Sequence, residues 1–119
     1  MTNLDIVKSV YAAFDRGDIP AVLDMFDPQI SWREAEGNPY EPSGKAWIGH
    51  DEIMQKLFTR IGAEWDYFRA VPHTFHDAGA TVVVEIRYEG KYKKTGKTLD
   101  AQACHIFTLR GGKVTAFQQ

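Results

Sequence analysis

The chain has little cysteine: Cys104 is the only one in 119 residues. A lone thiol excludes an internal disulfide and a cysteine-based zinc site, and it fits a reducing, cytoplasmic setting. Long hydrophobic runs are missing too, and none approaches the ~20 residues that a membrane span needs. Charge is never massed: the net formal charge is −2 and no block of one sign occurs. Neither nucleic acid nor an anionic membrane surface is therefore an expected partner. The opening MTNLDIVKSVYAAF is amphipathic and carries an early Asp5, unlike a signal peptide. There is no repeat, low-complexity segment or linker. What remains reads as one globular domain over residues 1–119, with 44% hydrophobic and 25% charged residues. That length is enough for a single core.

Leu4, Val7, Tyr11 and Phe14 recur at three- and four-residue spacing and predict an amphipathic first helix, closed by Gly17. Asp18 caps a second, short helix bearing Val22, Leu23 and Phe26, with Pro20 in its first turn and Asp27-Pro28 as its stop. QISWREAE reads as the first strand. Residues Gly37 to Gly49 read as a loop holding Tyr40 and Trp47. A third helix is expected from near His50 or Asp51, burying Ile53, Leu57 and Ile61 and ending at Gly62. Strands follow. DYFRAVPHTFH is interrupted by Pro72, which predicts a bend or an edge position. TVVVEIRYEGKYK, TLDAQACHIFTLR and KVTAFQQ are then set off by glycine-containing turns. Helices first and an antiparallel meander after is an α+β pattern, with helices on one face of a curved sheet.

Two residues break the alternation of these strands. In ISWREAEG, a two-residue period puts Ile30, Trp32 and Glu34 on one face. In TLDAQACHIFTLR, Leu99, Ala101, Ala103, His105, Phe107 and Leu109 share a face that is apolar except for the histidine. Val82, Val84, Ile86 and Tyr88 form the matching face of the preceding strand. Burial raises the pKa of a carboxylate and lowers that of an imidazole, which moves both toward values useful for proton transfer near neutrality. Glu34 and His105 are thus the candidate catalytic pair, and Trp32, Ile86, Tyr88, Phe117 and Gln119 the candidate substrate-binding residues. The same pair also fits a purely structural role, as a carboxylate and a ring held by internal hydrogen bonds.

The words YAAFDRGDIPAVLDMFDPQISWREAEG, WIGHDEI and GGKV, in this order and spacing, resemble the NTF2-like superfamily, in particular its SnoaL-like and ketosteroid isomerase-related branch. The resemblance spans nearly the whole chain. It implies a cone: three N-terminal helices packed on a strongly curved, mainly antiparallel sheet, with an apolar pocket between them. In ketosteroid isomerase a carboxylate base works with an oxyanion hole built from a tyrosine and a protonated aspartic acid. Matching ISWRE to the family strand puts Glu34 at the base position. Counting back from GGKV puts His105 at the acidic donor position. The oxyanion-hole tyrosine position falls on Val10, with Tyr11 expected to point elsewhere. A histidine here is similar to the SnoaL-like polyketide cyclases, but the last strand offers Gln118 and Gln119 in place of their acid. Neither known active site is complete. Related sequences also continue past a stretch like AFQQ, where this one stops.

The remaining candidates are weaker. His73 and His76, three apart in a strand, face opposite sides, and His50 reads as a local contact; with no HExxH-like spacing, no metal site is expected. Trp47 reads as a loop anchor. Val83, Cys104 and Ile106 on the outer sheet face suggest a homodimer surface, with Cys104 a packed thiol, and the resemblance implies the same. The expected function is cofactor-independent acid/base chemistry of isomerase, cyclase, lyase or hydrolase type on a small apolar cyclic or carbonyl compound. The alternative is a non-catalytic small-molecule-binding module.

Overall fold

The computed structural model describes residues 1–119. Helix α1 spans Asn3–Asp15, opened by a reciprocal cap in which the Thr2 hydroxyl takes the Asp5 amide and the Asp5 carboxylate takes the Thr2 amide. Gly17, at φ +72°, turns the chain into α2, Ile19–Asp24, where the Asp18 side chain accepts from the Ala21 amide. The expected helix stop at Asp27-Pro28 is not what ends α2. Met25 closes it, and strand β1 already begins at Phe26, running Phe26–Arg33. Pro28 is tolerated because the ladder to the neighbouring strand breaks between Phe26 and Ser31, where no amide hydrogen is required.

After a loop, β2 is a two-residue strand, Trp47–Ile48, pairing antiparallel with β1. Trp47 is buried, as an anchor should be. The third helix, α3, occupies residues 49–64 in three segments: α-helical over Gly49–Ile53, π-helical over Met54–Phe58 and α-helical again over Thr59–Glu64. It passes through Gly62 instead of stopping there, since Gly62 keeps an ordinary negative φ and supplies no left-handed cap.

Strands β3 (Trp65–Ala78), β4 (Thr81–Tyr92), β5 (Thr98–Arg110) and β6 (Lys113–Gln118) complete a curved, unclosed sheet in the order β2-β1-β6-β5-β4-β3. β3 is an edge strand whose register slips between Pro72 and Thr74, so Pro72 marks both an edge and a bulge. The meander β3–β6 is antiparallel, but β6 closes against β1 in parallel. The three helices pack on one sheet face. The core between the layers includes Val7 and Val10 of α1, Ile53 and Leu57 of α3, Val82, Val84 and Ile86 of β4, and Phe107 and Leu109 of β5. No helix is long and apolar enough to cross a membrane.

Candidate active site

The helices do not fill the concave face of the sheet. A cavity of about 750 Å³ is left, and 17 of its 27 lining residues are hydrophobic, which makes it a ligand-sized apolar hollow. Trp32, Glu34, Tyr88, His105, Phe117 and Gln119 all line it. Ile86 does not: it is a core residue, packed among the buried side chains and absent from the cavity wall. Gln118 points the other way, into a small depression on the outer face with Arg33 and Ile106.

Glu34 sits one residue past the end of β1, and its period with Trp32 keeps it on the inner side. The backbone amide of Gln119 donates to the Arg33 carbonyl at 3.0 Å and holds this strand end in place. The Trp32 indole Nε1 donates to Glu34 Oε1 at 3.1 Å. Trp32 is itself clamped by Phe117 across the parallel pair, with ring centroids 3.7 Å apart and ring planes nearly parallel. Glu34 is only 6% exposed, and its second oxygen, Oε2, meets no hydrogen-bond donor of the protein. Burial pushes the carboxyl above the usual carboxylate range, and the single Trp32 bond opposes this only in part.

His105 is held from both sides. Its Nδ1 lies 2.6 Å from the Tyr11 hydroxyl and its Nε2 lies 2.6 Å from the Tyr88 hydroxyl. Burial lowers the imidazole to about 3, so near neutral pH the ring is uncharged. Burial also raises both phenols, and for Tyr88 the nearby Glu34 charge raises it further. The histidine is therefore no acid in its own right, and both of its nitrogens face tyrosines. A tyrosine hydroxyl is what it can present to a ligand.

Tyr11 is the residue that sequence reasoning set aside. Val10 and Tyr11 are both buried, at 0% and 5% exposure, because α1 turns a broad apolar face to the sheet. Val10 joins the core, and the longer Tyr11 reaches the cavity. The available signal was the length of the side chain on a helix with buried neighbours on both sides. His50 contacts only the Phe26 carbonyl, at 3.1 Å, and His76 pairs with Glu85 on the surface at 2.7 Å. His73 lies in the β3 bulge. Cys104 is exposed in the single chain.

A model of the SnoaL-like domain matches residues 7–117. The chain belongs to the SnoaL-like family. Among solved structures, this SnoaL-like chain is similar to an NTF2-like protein from Burkholderia thailandensis, at 36% identity and a TM-score of 0.92 over 100% of this chain and 89% of that one. It is also similar to an NTF2-like protein of unknown function from Burkholderia pseudomallei, at 26% identity and a TM-score of 0.86 over 98% and 87%. TerC, co-crystallised with polyporic acid, matches at 28% identity and a TM-score of 0.84 over 98% and 88%. No curated protein matches the chain.

Proposed function

We propose that this SnoaL-like protein binds a small apolar cyclic or carbonyl-bearing molecule in its cavity and moves a proton on it. The observation that carries this reading is Glu34 Oε2, a buried carboxylate oxygen with no internal partner on the wall of a ligand-sized hollow. A desolvated carboxylate is a stronger base than one in water, and leaving it unpaired has a cost that a structural role does not explain. Glu34 would take a proton from carbon next to a carbonyl. The C–H electron pair becomes the new C=C bond, and the carbonyl oxygen, gaining negative charge, faces the Tyr88 hydroxyl, backed by His105 and Tyr11. Returning the proton at the same or another carbon completes exchange or isomerisation. The step draws only on side chains. That TerC was co-crystallised with a small ligand supports a binding role for the hollow.

Deuterium uptake by cyclic ketones in D₂O tests the reading. The wild type should accelerate exchange, and Glu34→Gln should slow it by ~10²–10⁴-fold. A second reading is a non-catalytic binder, favoured by the fact that both His105 nitrogens are already satisfied inside the protein. It requires saturable ketone binding without any exchange.

The outer sheet face supports a homodimer. Ile106 stands 41% exposed there on β5, paired with Val83 of β4. Sedimentation should give a dimer for the wild type and a monomer for Ile106→Lys; equal masses would remove this surface from consideration.

A further inference from the structure

The two tyrosines flanking His105 are not equivalent, and the difference assigns a role to Gln119. A neutral imidazole has one N–H, so one ring nitrogen donates and the other accepts. Tyr88 has a second neighbour: its hydroxyl lies 3.3 Å from Gln119 Oε1, which can only accept. With its proton directed there, Tyr88 must accept from His105 Nε2, and Nε2 must carry the hydrogen. Nδ1 is then bare and takes the Tyr11 proton. The four side chains make one directional chain: Tyr11 O–H to Nδ1, Nε2–H to Tyr88, Tyr88 O–H to Gln119.

In such a chain each bond polarises the next, which makes the terminal hydroxyl the strongest donor. That hydroxyl is Tyr88. Its acceptor is also the most loosely held member, at 3.3 Å against 2.6 Å for each of the other two links. A carboxamide oxygen is the same kind of acceptor as a ketone or ester oxygen. Gln119, Tyr88 and Glu34 share the cavity wall, so a ligand oxygen on Tyr88 lies in the compartment that holds the base.

We infer that Gln119 is a positioning residue: its side-chain carbonyl occupies the place of a ligand carbonyl on Tyr88 and sets the His105 tautomer in the resting protein. The inference rests on the proposed function and narrows its ligand to a neutral carbonyl compound whose oxygen displaces Gln119. Tyr88 touches that oxygen, while His105 and Tyr11 act through Tyr88.

Nitrogen-15 NMR of the ligand-free protein reads the tautomer directly. His105 should carry its hydrogen on Nε2 in the wild type and in Gln119→Glu, which keeps an acceptor oxygen, and should become a mixture of tautomers in Gln119→Leu. Cyclohexanone is the binding probe, and methylenecyclohexane, of similar shape but lacking the oxygen, is its control. Removing the internal competitor should raise the ratio of cyclohexanone to methylenecyclohexane affinity by about two- to tenfold in Gln119→Leu. A wild-type His105 with its hydrogen on Nδ1, or a falling ratio in Gln119→Leu, overturns the inference. The tautomer is measured without any ligand. Failure of every variant to bind ketone therefore overturns the proposed function and leaves the spectrum to decide the role of Gln119.

Discussion

The inner face of β5 behaves differently at its two ends. Toward the β5–β6 turn, Phe107 and Leu109 are large and buried in the core, Phe107 still bordering the cavity and Leu109 clear of it. Toward the β4–β5 turn, Ala101 and Ala103 follow the same alternation on the same face, yet they line open space. β4 repeats the contrast, with Val82, Val84 and Ile86 packed solid and Tyr88 on the hollow. The pattern of apolar positions says only which way a side chain points. Its volume decides whether the helices above meet it or leave a gap. His105 stands at the boundary, between Phe107 and Ala103, where the core gives way to the cavity.

Four substitutions sharpen or break that contrast. Glu34→Gln has the largest expected effect, the ~10²–10⁴-fold loss of exchange given above. It also has a signature in stability. Because burial raises the Glu34 pKa, the folded chain holds this proton more tightly than the unfolded one, and the associated stabilisation is lost as pH rises through the folded value. Glu34→Gln should therefore resist urea better than the wild type at pH 8, with the gap closing as pH falls. A variant less stable at pH 8 would show that the carboxylate is structurally engaged.

At the packed end, Leu109→Ala should cost about 2–5 kcal/mol in urea unfolding, the range for truncating a leucine in a dense core. A loss below 1 kcal/mol would mean that the two ends are equally loose. His105 tests the boundary. Its pKa falls from the ordinary 6.5 to about 3, so its neutral form contributes stability that is complete above 6.5 and lost as pH drops toward 3. His105→Gln should flatten the decline in stability over that window, and an unchanged slope would place the acid sensitivity elsewhere. The smallest effect belongs to Ala103→Leu. It adds volume where space exists, so it should stay below the ~1–3 kcal/mol usual for overpacking while weakening cyclohexanone binding. Strong destabilisation would show that the hollow is tighter than its walls imply.

Much of this arrangement was legible in the sequence, because a strand has a simple period. Alternation alone places Glu34 and His105 on the covered face, and the turn glycines mark the hairpins. Helices were less readable. One hundred degrees per residue let adjacent positions such as Val10 and Tyr11 both be buried, so spacing could not tell the core residue from the one reaching the cavity. Ile86 shows the converse: the right face, but the wrong depth. The widened turn at Met54–Phe58 has no compositional mark; it sets Leu57 in the core and Phe58 edge-on to Trp32, contacts between distant parts of the chain. The partnership of Tyr88 with Gln119 joins β4 to the residue just past β6, with β5 between them, and no local pattern encodes it.

The position of β6 has a temporal consequence. It lies between β1 and β5, so a nascent chain on the ribosome carries β1 with one flank open until residues 113–118 emerge. Within the sheet, Phe26–Arg33 and the β3–β5 meander are therefore halves that only this late, sequence-distant strand joins, the kind of step that slows folding and invites chaperone capture. The stacked Trp32 and Phe117 rings are the latch of that event, and indole fluorescence should report the moment at which the halves meet.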